Sequence, residues 1–203
     1  AVAAIAATAG VDQGITLATD GKGRHDSGEG VGKLLGYEVT VCDREDWRKY
    51  KLPETDGIAA AGNAAEVAVL AMADKLKNRL VLTGFWGGQI WKKAQQETRP
   101  ILGPHDGSGI SWSEVRLTLG FINCPVAYWG GTQIADIAAI SDSEEMAYWS
   151  IGGDYDRPIP RRIVETTEVP RECFGQDKQG VSEHVLGAER FLTRESAKDY
   201  EEW

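Results

Sequence analysis

Tyr37-Glu38-Val39-Thr40-Val41-Cys42 alternates side chains as a half-buried strand requires, and Asp43 opens a polar connection behind it. Upstream, Gly14-Ile15-Thr16-Leu17-Ala18 is a shorter β-type run. The polar, glycine-dense stretch Thr19–Gly32 follows it, with a short helix expected over Val31–Leu35 and stopped by Gly36. Downstream, Asp56–Ala61 is a strand candidate made of small residues, and Gly62-Asn63 turns the chain into a helix over Ala64–Lys77. Val67, Leu70, Ala71 and Ala73 give that helix a buried face, with Asp74 the polar exception at its edge. Leu80–Thr83 is the next strand and ends in the corner Gly84–Gly88. The order β-α-β-β-α-β with short glycine-rich corners predicts an α/β fold, a mainly parallel sheet with flanking helices.

Beyond Arg99 the pattern is less regular. Alternation of Val115, Leu117 and Leu119 predicts a strand over Trp112–Leu119, Asn123–Trp129 a further strand, and Gln133–Ile140 a helix. From Ile151 onward the composition changes, with 12 acidic and 8 basic side chains in 53 residues and Pro158, Pro160 and Pro170 near the start. Residues 1–150 therefore read as an α/β domain and residues 151–203 as a charged C-terminal arm. Its aromatic residues Tyr155, Phe174, Phe191, Tyr200 and Trp203 suit docking on the domain or on a partner subunit, and a charged helix is expected around Gly187–Glu202.

A chain of 203 residues is one domain's worth, long enough to bury a core without a metal or a disulfide. The net charge of -9, with no Lys/Arg block, excludes a nucleic-acid partner. The longest largely apolar run, Ala1–Gly10, is half the length of a membrane span, so no span is expected, and no basic region precedes it as in a secretory signal. Cys42, Cys124 and Cys173 form no C-x-x-C pair and read as reduced thiols of a cytoplasmic protein, Cys124 packed within a strand. Seven Trp, several beside Gly at loop tips, predict a homo- or hetero-oligomer rather than a monomer.

One theme occurs twice. His25-Asp26-Ser27 and His105-Asp106 with Ser108 each lie in a tight glycine-rich turn, and they hold two of the three histidines of the chain. Loops at the carboxyl ends of parallel strands are where open α/β sheets bind ligands, and a His-Asp pair there supplies a proton shuttle and its orienting carboxylate. His25, Asp26, His105 and Asp106 are thus the candidate catalytic residues. Ser27, Ser108 and Asn63 would add polar contacts to a ligand. Trp86 and Trp129, in the corners Gly84–Gly88 and Tyr128–Thr132, would wall a small-molecule pocket or a subunit interface. The alternative is that the Asp and Ser side chains close turns and cap helices, with the histidines on the surface. The adjacent pairs lack metal-site spacing, so no metal is assigned, and Lys33-Leu34 breaks the phosphate-loop pattern. The residues name no cofactor.

Thr19-Asp20 with Gly23–Ser27, then Asp56–Met72, then Gly103–Ser108 are similar, in that order, to segments of the glycine/sarcosine/betaine and D-proline reductase proproteins. The chain resembles the C-terminal part of that family over about half its length. The resemblance implies an oxidoreductase-like subunit handling a small amino-acid-like or carboxylate compound, with its site at these loops. Three readings follow. The first is an enzyme or enzyme subunit with a site for a small polar compound at the sheet edge. The second is a non-catalytic assembly subunit of a larger complex. The third is a binding protein whose Trp residues stack on a sugar or another small molecule.

Overall fold

The computed structural model describes residues 1–20, 23–25, 27–50, 69–93, 113–153 and 155–175, together with Arg194, Lys198 and Glu202. The alanine-rich start forms helix α1 (Val2–Thr8), as alanine's low side-chain entropy cost favours. Gly10, at φ 86°, turns the chain into β1 (Gln13–Leu17). Helix α2 (Glu29–Leu34) carries it over to β2 (Glu38–Cys42), which runs parallel to β1 with Gln13 opposite Glu38 and Leu17 opposite Cys42. Gly32 is required in this crossover, because a Cβ there would stand 2.6 Å from Val39 Cγ2. Asp43 then accepts the Glu45 N–H at 3.0 Å and starts a 3-10 turn over Arg44–Lys49.

A second unit repeats the plan. Short helix α3 (Ala73–Leu76) leads to β3 (Leu80–Thr83), then α4 (Gly87–Ile90), α5 (Ser113–Leu119) and β4 (Ile122–Pro125). Strand β4 is parallel to β3, with Leu80 opposite Ile122 and Thr83 opposite Pro125. Next come a 3-10 segment over Val126–Thr132, helix α6 (Ile134–Asp142), a 3-10 segment over Glu144–Trp149 and helix α7 (Pro158–Glu165). The architecture is mixed α/β, but among the described residues the strands form two separate parallel pairs rather than one continuous sheet. β1 and β3 line the same cleft.

The core has the matching layout. Val69, Leu70, Leu76, Val115 and Phe121 form one buried cluster. Leu17, Cys42 and Ala71 pack beside it. Trp86, Ile90, Ile134 and Ile137 form a third beneath the corner after β3. Ala4, Val164 and Val169 make the last, tying α7 to α1, so the described part of the segment after Ile151 docks on the beginning of the domain. Among the described residues, no helix is long and apolar enough to cross a membrane.

Three expectations change. Trp112–Leu119 is not a strand: α5 buries Val115, half-buries Leu119 one turn later and leaves Leu117 exposed. Apolar residues at i, i+2 and i+4 fit a strand, but i and i+4 alone fit a helix equally well, and the helix is what packs. The strand expected over Asn123–Trp129 stops at Pro125, whose ring cannot donate to a ladder, and the chain tightens into a 3-10 segment. The helix expected over Ala64–Lys77 is, in its described part, interrupted at residues 71–72 before α3. The strand expected at Asp56–Ala61 and the helix around Gly187–Glu202 fall outside the described residues, apart from Arg194, Lys198 and Glu202.

Candidate functional site

The cavity at the carboxyl ends of β3 and β4 is built from three parts. The first is the corner Gly84–Gly88. Trp86 adopts φ 67°, the left-handed region that a bulky residue enters only when its surroundings hold it there. Its ring is buried in the cluster with Ile90, Ile134 and Ile137 and meets Tyr128 edge-on at 5.8 Å, which fixes the corner. The second part follows β4. Trp91 donates its indole N–H to the Ala127 carbonyl at 2.8 Å. Gly130 lets the layers close, because a Cβ there would stand 2.7 Å from Ile137 Cδ1 and 2.8 Å from Trp91 Cζ2.

The third part is the turn leading into α7. Gly152 and Gly153 lie at φ 73° and 75°, allowing the chain to double back. The buried Asp156 carboxylate then gathers the Ser150 hydroxyl and the Ile151 and Gly152 N–H groups, both N–H contacts at 3.1 Å. Lys93 Nζ donates to the Ser150 hydroxyl oxygen at 2.9 Å. With Asp156 pinned, Arg157 sits at the N-cap of α7, and Pro158 takes the first helical position, where its missing N–H costs nothing. Arg161 falls one turn on, so the two arginines share a helix face.

Their guanidinium groups are held by ring and backbone contacts. Arg157 lies 4.3 Å from the Tyr155 ring centroid, and its Nη2 would be 3.0 Å from a Cβ at Gly88. Arg161 is only 4% exposed and donates Nη2–H to the Gly175 carbonyl at 2.8 Å. Arg157 Nε, Arg161 Nε and Arg161 Nη1 are buried without a hydrogen-bond partner. Each such orphan costs roughly 1–3 kcal/mol. Burial pushes the Arg161 guanidinium down from its ordinary range, and the nearby Asp156 carboxylate opposes that shift. The cavity measures about 440 Å³ and is walled by Val2, Ile5, Trp91, Ile163 and Phe174 around the two arginines.

The corner after β1 is different. Buried Asp20 accepts the Arg24 backbone N–H at 2.8 Å and its Nε–H at 2.7 Å. Arg44, also buried, donates Nε–H and Nη2–H to the Thr19 carbonyl at 3.3 and 3.2 Å. His25 is exposed and bridges Thr19 in a short antiparallel contact. Ser27 is half-buried and lines the cleft between β1 and β3, a volume of about 810 Å³. Asp26, Asn63, His105, Asp106 and Ser108 lie outside the described residues. Trp86 is a packing residue beneath its corner, and Trp129 is 73% exposed. Among the described residues, no three His, Cys, Asp or Glu side chains group as metal ligands would.

Sequence reasoning missed Arg157 and Arg161. Their signal was available in Arg157-Pro158-Ile159-Pro160-Arg161, a proline at a helix start with two arginines one turn apart, but charge counting assigned it to a charged arm docking on the domain or on a partner subunit. In comparisons with known proteins, the chain matches no family model, no curated protein and no solved structure, and the reading of the site rests on its own geometry.

Proposed function

We propose that the chain is an enzyme or enzyme subunit that binds a small carboxylate compound in the cavity at the carboxyl ends of β3 and β4. One observation carries the reading: two arginines on one face of α7 line an otherwise apolar cavity, and three of their guanidinium nitrogens lack hydrogen-bond partners. A planar fork of N–H donors matches a carboxylate better than any neutral group. The position at the strand ends, on a glycine corner held by a left-handed Trp86, fits a ligand site of an open α/β fold. Arg157 and Arg161 would bind and orient the anion, and Tyr155, which lines the same cavity, is a candidate for proton transfer. Amino-acid-like substrates, suggested by the reductase-like resemblance, carry this carboxylate. Three free thiols suit a reducing, cytoplasmic setting.

The test is a thermal-shift and calorimetric screen of small carboxylates on the wild type and on Arg157→Gln. Binding that raises Tm in the wild type and weakens at least about tenfold in the variant, the worth of one charge-assisted contact, is the expected result. Absence of any carboxylate response removes the reading. The assembly alternative rests on Trp129, which stands 73% exposed beside the half-exposed Tyr128. Sedimentation of the wild type and Trp129→Ser as equally monomeric species would remove that alternative.

A further inference from the structure

We infer that the ligand of this cavity is an amphiphilic monocarboxylate, one carboxylate on an aromatic or branched apolar body, rather than a phosphate, a dicarboxylate or a sugar. The inference rests on the carboxylate reading and specifies its substrate class.

Charge sets the valence of the anion. Arg157 and Arg161 contribute two positive charges, and the buried Asp156 carboxylate, which acts on Arg161, returns one. Asp156 is held by Ser150, Ile151 and Gly152, which keep its carboxylate in place. Arg171 and Glu165, both of which also act on Arg161, are paired with one another at 2.5 Å and cancel. Among the described side chains, one net positive charge remains at the wall, enough for a single carboxylate. A dianion would bring a second charge into a site that Asp156 already repels.

The rest of the wall sets the body of the ligand. Away from the arginines and Tyr155, every side chain lining the cavity is apolar, Val2, Ile5, Trp91, Ile163, Val164 and Phe174 chief among them. Among the described residues no Asp, Glu, Asn, Gln, Ser or Thr lines it, so the hydroxyl groups of a sugar would lose their water without gaining partners. A volume of about 440 Å³ lies at the small end of ligand pockets, suited to a ring or a branched chain beside the carboxylate. Trp91 and Phe174 supply flat faces for such a body.

The experiment titrates four probes into the whole chain by calorimetry: phenylacetate, acetate, phenylacetamide and inorganic phosphate. Phenylacetate is expected to bind at least roughly tenfold more tightly than acetate, because a buried ring adds apolar area. It should also exceed the neutral phenylacetamide by a similar factor, because only the anion satisfies the guanidinium groups. Ile163→Ser should weaken phenylacetate and leave acetate unchanged, while Arg161→Met and the half-buried Arg157→Gln should each abolish the preference for phenylacetate over its amide. Acetate matching phenylacetate would overturn the apolar body while keeping the carboxylate site. Phosphate binding above phenylacetate would overturn the monoanion. Failure of both carboxylates, or equal binding of phenylacetate and phenylacetamide, would overturn the carboxylate reading itself.

Discussion

The two strand pairs end in corners of opposite character. After β1 the cations are spent at home: Arg24 on Asp20, and Arg44 on the Thr19 carbonyl. After β3 and β4 the chain brings in two arginines from a distant helix and leaves three of their N–H groups buried without acceptors. A closed corner of the first kind stabilises a turn, whereas an open one is a cost that folding tolerates only where a ligand or a packed scaffold offsets it. Histidine and glycine content drew attention to the first corner, but the cavity lined by two arginines singles out the second.

The largest way to break the contrast is to undermine the open corner's scaffold. Ile90 is fully buried beneath it, so Ile90→Ala should cost roughly 2–5 kcal/mol in chemical denaturation. The open geometry depends on that packing, so phenylacetate should then no longer raise Tm. Next is the closed corner. Asp20→Ala strips acceptors from Arg24 and negative charge from beside the buried Arg44, and a loss of roughly 1–3 kcal/mol is expected. Carboxylate affinity should be unaffected, and a drop there would merge the two corners into one site.

The opposite substitution sharpens the contrast. Arg161→Met removes a buried cation that lacks a full set of partners, so unliganded stability should fall by less than about 1 kcal/mol or rise. A loss above about 3 kcal/mol in urea unfolding would show that Arg161 is closed off like Arg24. A smaller effect is set by pH. The Arg171 hydrogen bond holds the Glu165 carboxyl below its ordinary 4.5, burial opposes this, and the Trp149 indole N–H reinforces it. A carboxyl with a depressed folded-state pKa stabilises above its unfolded value and loses that contribution as pH falls through the folded value. Tm should therefore decline below about pH 4.5, and Glu165→Gln should flatten that decline. The mildest test is thiol labelling. Cys173 is exposed, whereas Cys42 is buried at the end of β2, and burial pushes its thiol pKa up, with Lys75 opposing and Asp46 adding. Labelling should run Cys173, then Cys124, then Cys42.

Local patterns carried much of the fold. Val39 and Val41 alternate with polar neighbours, and that is enough to define β2, and Gly36 at φ 84° ends α2 as its lack of a Cβ allows. The single sheet was over-read, because short parallel strands specify their hydrogen-bonded partner but not whether a further pair adds to their edge. In α5, Val115 and Leu119 serve two periodicities at once, and only burial against Leu76 and Phe121 decides between them. The site was least legible. Arg161 becomes remarkable only after Asp156, Gly175 and α1 are around it, and those contacts span the chain. Nothing local in a run of charged residues distinguishes a solvated guanidinium from a buried one.

Ala4 on α1 packs against Val164 on α7, and the cavity has one wall on each helix. In kinetic terms this closes a loop of about 160 residues. Such contacts form late, because the entropy of joining distant segments has to be met before their packing rewards it. The β1–β2 pairing spans 25 residues and the β3–β4 pairing 42, so both strand pairs are expected to assemble before α7 seats. The ligand cavity is then the last feature to appear during refolding. Amide exchange should find α7 opening ahead of the strands, and a bound carboxylate should slow exchange there first.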